Sequence, residues 1–360
     1  MKILLIGEYS NLHWTLAKGL RVLGHKVTVI SDGCGWQNNS RDIDISLKGD
    51  SIINKINYRI KILLNLKNMR GYDVVQIISP VFFKLNSSDI LKVFNYLKKH
   101  NRKVFLGAFG TDYYYTKACL ENKFRYSDFS VPGMQDKLPE DNINWTKSPL
   151  KDLNEYIAEK CDGIVTCLYE YKVAYDSIWG YKSEYIPLPI DTEEIKPIAK
   201  FDGKAKFFMG VQKSKAHLKG CDVMSEFLKE VCKGHSEICE FNNVESLPYN
   251  RYKDIMNESN ILVDQLYSYS PGMNALLGMA KGMVVISGGE EEIYTLLKEE
   301  NNKPIINPVP NKEDILNKLM FIVENINKLE EIGKNSRRFV EKHHNYIDVA
   351  MKYIEFWRSR

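Results

Sequence analysis

Short β-branched and aliphatic runs alternate with longer stretches whose apolar residues recur every three or four positions, and this alternation occurs twice along the chain. Parallel neighbouring strands need a crossover, usually helical, so the pattern predicts parallel sheets with helices on both faces. In the first pass, residues 2–6, 25–30, 73–78, 103–107 and 163–166 read as strands. Residues 11–23, 88–99, 153–160 and 170–179 read as helices. Leu12, Leu16, Leu20 and Leu23 line one face of the first helix, and Ser88 is the expected N-cap of the second. Residues 186–198 then carry three prolines and read as a linker. The second pass predicts strands at 206–209, 237–241, 260–263 and 283–286. Its helices fall at 221–232, 249–257, 271–281, 291–298, 312–332 and 346–357.

At 360 residues, two domains of about 150 residues each are expected. The net charge of +4 gives no electrostatic footprint for nucleic acid. No apolar run approaches the ~20 residues of a membrane span, and the opening MKILLIG reads as a first strand rather than a signal peptide. Seven cysteines lack C-x-x-C spacing and read as free thiols of a cytoplasmic protein. Residues 51–70 contain Lys55, Arg59, Lys61, Lys67 and Arg70 and no acid, with Ile and Leu at helical spacing. That segment reads either as a core helix or as a peripheral contact with an anionic membrane.

In doubly wound sheets ligands bind beyond the carboxyl ends of the strands, and between two domains the cleft is the natural site. The loop after the first strand is not G-x-G-x-x-G, which excludes a dinucleotide fingerprint. It places Gly7, Ser10 and Asn11 at a helix start, where N–H groups can meet an anion or a sugar hydroxyl. His13 reads as a base or sugar contact, or as a plain capping or surface histidine. Gly110 and Thr111 suit a cleft-lining loop, and Asp112 reads as a general base or as a helix N-cap. In the second half, residues 210–220 crowd Lys213, Lys215, Lys219 and His217 before a helix, a setting for pyrophosphate or a solvated basic loop. Ser270 as N-cap and Pro271 as first helical residue would open another anion-ready helix, with Gly272, Met273 and Asn274 at its start. Asp264 and Gln265 end a buried strand. Glu292 follows a Gly288-Gly289 turn and reads otherwise as a capping acid. No convincing metal site is present.

Over nearly its full length the chain resembles GT-B-fold glycosyltransferases of the family 4 type from bacterial polysaccharide assembly. The resemblance rests on the opening MKILLIGEYSN…LAKGLRVLGHKVTVIS, the hinge IPLPIDTEEIKP, the loop from Gly210 to Lys219-Gly220, YSPGMNALLGMAKGMVVIS, Gly288-Gly289-x-x-Glu292 and the tail RRFVEKHHNYIDVAMKYIEFW. It implies two Rossmann-like domains facing a cleft. The acceptor domain would span 1–190 and the nucleotide-sugar domain 191–344, with the helix 345–360 returning to the first. It also implies transfer of a hexose, with retention, from a UDP- or GDP-sugar to a glycan or lipid-linked acceptor of a cell-surface polysaccharide such as a capsule. Lys213, Lys219 and the start at Gly272, Met273 and Asn274 would hold the diphosphate without a metal or other cofactor. Asp264, Gln265, Tyr269 and Glu292 would meet the sugar or nucleotide, and Asp112 and His13 the acceptor. One departure stands out. The family's two signature glutamates, eight positions apart, align with Tyr269 and Leu277. That loss leaves open a non-catalytic nucleotide-sugar binder or assembly partner, and the fold also admits a nucleotide-sugar epimerase.

Overall fold

The structure is a computed structural model of the chain and describes residues 1–34, 38–129, 143–212, 216–245, 247 and 249–360. Its first part runs β1 (Lys2–Ile6), α1 (Leu12–Val22), β2 (Lys26–Ser31), β3 (Ile43–Asp44), α2 (Ile52–Asn65), β4 (Val74–Ile77), α3 (Ser87–His100), β5 (Lys103–Ala108), α4 (Tyr113–Leu120), α5 (Leu150–Lys160), β6 (Gly163–Thr166), α6 (Tyr169–Trp179) and β7 (Ser183–Tyr185). The second part runs β8 (Ala205–Val211), α7 (Cys221–Gly234), β9 (Cys239–Glu245), α8 (Tyr249–Asn257), β10 (Ile261–Val263), α9 (Met273–Ala280), β11 (Val284–Ile286), α10 (Glu291–Leu297), α11 (Lys312–Glu324), α12 (Leu329–His343) and α13 (Tyr346–Ser359).

Two parallel sheets result, ordered β3-β2-β1-β4-β5-β6-β7 and β11-β10-β8-β9. The α/β class with two doubly wound sheets is therefore as expected. Ile3, Leu4, Leu5 and Ile6 are wholly buried, because helices cover both faces of a central parallel strand. Strand order reverses between β1 and β4 and again between β8 and β10. Such switch points open a crevice at the carboxyl ends of the strands. Gly7 and Asp264 lie at these two ends, one in each sheet.

The chain passes between the sheets twice, and the two passages are tied together. Ile190 N–H donates to the His344 carbonyl at 2.7 Å, and Tyr346 N–H donates to the Ile190 carbonyl at 3.1 Å. The Arg337 guanidinium donates to the carbonyls of Thr192, Ile195 and Ala280. Helix α13 then lies on α1, with Gly19 so close to the Tyr346 carbonyl and Ala350 that a side chain there has no room.

Some elements differ from expectation. The helix foreseen over 312–332 breaks at Asn325, whose backbone leaves the helical region and whose side chain donates to the Phe321 carbonyl at 2.8 Å. A new helix then runs through Leu329–His343. Asn86, not Ser88, caps α3, accepting the Asp89 N–H at 2.9 Å. The edge strands β3 and β7 have two and three residues, too few for an apolar pattern to show.

Candidate functional site

The first-sheet loop after β1 is built on Gly7, whose φ of +87° suits glycine and whose missing side chain leaves room for Ile78. Ser10 and Asn11 follow in left-handed conformations, at φ +50° and +69°. Asn11 occupies the N-cap position of α1, yet its side chain makes no capping bond. The cap is Glu8. Its carboxyl group, 3 % exposed, accepts the His13 N–H at 3.2 Å and the Trp14 N–H at 2.9 Å. Burial pushes the Glu8 carboxyl up to about 8. The donors that the sequence offers to a ligand at this helix start are thus partly satisfied from within.

His13 is neither a surface nor a capping histidine. It is wholly buried, its Nδ1–H donates to the Gly7 carbonyl at 2.8 Å, and its ring meets Phe109 edge-on at 6.2 Å. Burial lowers it to about 4, so the imidazole is neutral, and Nε2 is left buried without a protein partner among the described residues. Asp112 is the N-cap of α4. One oxygen accepts the Tyr115 N–H at 3.0 Å and the other the Tyr175 hydroxyl at 2.6 Å. It is 1 % exposed, and burial raises it to about 6. This geometry is that of the cap rather than of a base reaching an acceptor. Gly110 and Thr111 remain partly exposed, and Gly110 faces the Tyr9 ring, whose hydroxyl pairs with Ser79 at 2.9 Å.

In the second sheet, Lys213 lies outside the described residues. Lys219 stands at the start of α7 with Nζ 3.4 Å from Asp264 Oδ1. Asn274 Nδ2 donates to the same oxygen at 3.3 Å, and the Tyr252 hydroxyl donates to Asn274 Oδ1 at 2.9 Å. Asp264, buried at the end of β10, thereby orients one cation and one amide toward the crevice. The next helix starts later than expected. Its N-cap is Gly272, without a side-chain cap, and Met273 is the first helical residue. The N–H groups of Met273, Asn274 and Ala275 find no protein acceptor among the described residues. Gln265 Nε2 donates to the Ser270 carbonyl at 3.4 Å.

The expected cap, Ser270, is engaged across the crevice. Glu170, on α6 and 6 % exposed, accepts the Ser268 hydroxyl at 2.9 Å, the Tyr269 N–H at 2.7 Å and the Ser270 N–H and hydroxyl at 3.2 and 2.8 Å. Beside it, the Tyr269 ring stacks on Tyr169 at 5.5 Å and also meets Phe124 and Tyr126. Its hydroxyl oxygen accepts the Arg125 N–H at 2.6 Å. The Arg125 guanidinium lies 4.8 Å over that ring and pairs with Glu290 and Glu292. Tyr126 donates its hydroxyl to Glu290. Glu292 is therefore held by a cation from the first sheet's side. Leu277, at the other signature position, is partly buried among apolar residues.

Sequence reasoning missed Glu8, Arg125, Tyr126 and Glu170. Glu8 carries the signal of an acid ahead of a helix start. Nothing local marks the other three, whose partners lie more than 90 residues away.

Among the described residues no group of three His, Cys, Asp or Glu converges to hold a metal. No helix there is long and apolar enough to cross a membrane.

No protein family and no curated protein matches the chain by sequence. Solved structures match its fold. Sucrose-phosphate synthase from Thermosynechococcus elongatus aligns at TM-score 0.63 and 11 % identity over 100 % of this chain and 99 % of that one. Anabaena HepE, solved with UDP and glucose, aligns at TM-score 0.63 and 11 % identity over 100 % of both. A glycosyltransferase from Rickettsia africae aligns at TM-score 0.57 and 13 % identity over 99 % and 97 %. The chain thus has the GT-B fold that its sequence resemblance implied.

Proposed function

We propose that this chain is a glycosyltransferase that moves a hexose from a nucleotide-diphosphate sugar to a glycan or lipid-linked acceptor, with retention and without a metal. The observation that carries the reading is the open start of α9 beside Lys219, at the switch point of the second sheet. Three N–H groups without protein acceptors and one ammonium suit a diphosphate, and they would stabilise the charge that grows on the leaving group. HepE has been solved with UDP-glucose and starch synthase IV of Arabidopsis thaliana with ADP, which supports a nucleotide donor here. Residues 191–344 would hold the donor and residues 1–190, with the returning helix, the acceptor. Asp264 positions Lys219 and Asn274. Of the two residues expected to act on the acceptor, His13 keeps an Nε2 without a partner among the described residues, whereas Asp112 is taken up by the Tyr115 N–H and the Tyr175 hydroxyl.

A second reading, a nucleotide-sugar binder without turnover, is favoured by one observation. Tyr269 and Leu277 replace the signature glutamates, and Arg125 occupies Glu292. A thermal-shift screen against UDP, GDP, CMP and their sugars, with and without EDTA, followed by donor consumption with glycan and lipid acceptors, separates the two. A selective diphosphate shift that EDTA leaves intact, with transfer, supports the first reading. The same shift without transfer supports the second, and no shift overturns both.

A further inference from the structure

Helix α2 turns its apolar side outward. Ile52, Ile53, Ile56, Ile60, Leu63 and Leu64 are between 48 % and 78 % exposed, while Tyr58 and Ile62 alone within the helix are buried. At about 100° per residue the six exposed aliphatics share an arc of roughly 120°, on the side opposite Tyr58 and Ile62. The core-helix reading of residues 51–70 therefore fails: two residues anchor the helix, and the aliphatic stripe faces away from the protein.

Cations border that stripe. Lys55 and Arg59 flank one edge and Lys61 the other, with Lys67 and Arg70 just beyond the helix end. Arg59 and Lys61 reach Asp89 and Asp44, whereas Lys55, Lys67 and Arg70 have no ion pair among the described residues. A groove of about 510 Å³ runs between α2 and residues 84–86, with Lys55, Arg59 and the acid Asp50 at its walls beside Ile52, Ile56 and Leu85; Lys84, also there, pairs with Asp32 at 2.8 Å.

We infer that α2 docks the protein on an anionic lipid bilayer, its aliphatic stripe entering the acyl boundary and the unpaired Lys55, Lys67 and Arg70 meeting lipid phosphates. Charge selects this occupant. A second copy packed stripe to stripe would bring the unpaired Lys55, Lys67 and Arg70 of both copies to one face, against which the groove sets a single acid, Asp50. An anionic bilayer supplies an apolar layer and negative charge in one plane, which is what a helix of this pattern matches. Helix α2 follows β3, so it begins at the carboxyl ends of the first sheet, where the acceptor is proposed to bind. The link to a lipid-linked acceptor rests on the proposed function; the docking does not.

The test is flotation of the full chain with phosphatidylcholine vesicles and with equimolar phosphatidylcholine–phosphatidylglycerol vesicles, without any sugar nucleotide. Flotation is expected only with the anionic vesicles, and it should weaken as salt screens the charges. Lys55→Glu with Lys67→Glu should lower partitioning at least about tenfold. Ile53→Gln with Leu64→Gln, at positions exposed enough to leave folding intact, should abolish it. Absence of flotation with anionic vesicles, equal flotation with neutral ones, or a dimer in sedimentation that the Gln variants dissociate would overturn the proposal. Because no donor is present, these results stand apart from the nucleotide screen: docking without nucleotide binding would sink the transferase reading alone.

Discussion

The Glu170 carboxylate, carried by α6 beside the seven-stranded sheet, accepts the Ser270 hydroxyl at 2.8 Å in the loop that leads into α9 of the other sheet. With the Ser268 hydroxyl and two backbone N–H groups, it makes four bonds from one buried side chain. Several donors converging on one side chain hold the loop in a single arrangement. Glu170 therefore sets the geometry just ahead of the N–H groups proposed to hold the diphosphate.

Glu170→Ala should cost about 3 kcal/mol or more, because it strands buried donors rather than merely deleting a bond. Glu170→Gln, which keeps one acceptor, should cost roughly half as much. Urea denaturation reads both. A cost below about 1 kcal/mol for Glu170→Ala would show that the loop repairs itself with other acceptors.

Tyr269 stands where the resemblance places a glutamate, and the structure shows what fills the space instead. The residue is 2 % exposed, stacked on Tyr169 and covered by Arg125. Tyr269→Phe should lose only the bond from the Arg125 N–H, about 1 kcal/mol. Tyr269→Glu should cost more than about 3 kcal/mol, since it removes a buried ring and desolvates a carboxylate. Reinstating the acid should therefore not raise donor turnover. An increase in transfer by Tyr269→Glu would mean that the site still accepts the family's chemistry and that the aromatic cluster is secondary.

The sheets were legible because their signal is local. A run such as residues 2–6 with an amphipathic helix behind it admits few alternatives. The layout of the candidate site was legible only where its signal is also local: Gly272 and Asn274 open a helix, and Lys219 precedes one. The helix start at Gly272 rather than Ser270 was not, because a distant glutamate competes for that serine. The same competition explains Asp112, whose capping and catalytic signals are identical in sequence and are separated only by Tyr175 from another helix. For residues 51–70 the spacing showed a stripe but not its direction, since periodicity does not say which side meets the sheet.

Lys219 is proposed to contact the diphosphate, and its neighbourhood makes the test specific. Its side chain is 38 % exposed but Asp264 beneath it is buried, so Lys219→Ala also costs stability by leaving that carboxyl short of a partner, and Lys219→Gln, which keeps a donor for it, is the cleaner variant. A charge-assisted contact to phosphate is worth ~1.5–3 kcal/mol, or roughly 10- to 100-fold in affinity. Calorimetry should show that loss for the nucleoside diphosphate and almost none for the nucleoside. Equal weakening of both would place Lys219 outside the phosphate site.

Glu8 makes the start of α1 sensitive to pH in a direction opposite to its neighbour. Its carboxyl is pushed from an ordinary 4.5 to about 8, so the fold favours the protonated form. That contribution is complete below 4.5 and is lost as pH rises through 8. His13 is lowered from 6.5 to about 4, so its contribution is complete above 6.5 and is lost as pH falls through 4. The two oppose each other between 4.5 and 6.5, and above 6.5 Glu8 acts alone within the pair. Glu8→Gln keeps one acceptor for the two helix N–H groups, a loss that does not depend on pH, and cannot ionise. The stability of the wild type relative to this variant should therefore fall between pH 6.5 and 8, at up to about 1.4 kcal/mol per pH unit. Chemical denaturation at a series of pH values measures the difference directly, with all other titrating groups common to both proteins. A difference that stays flat across this range would mean that Glu8 is already ionised in the fold and caps α1 as a carboxylate.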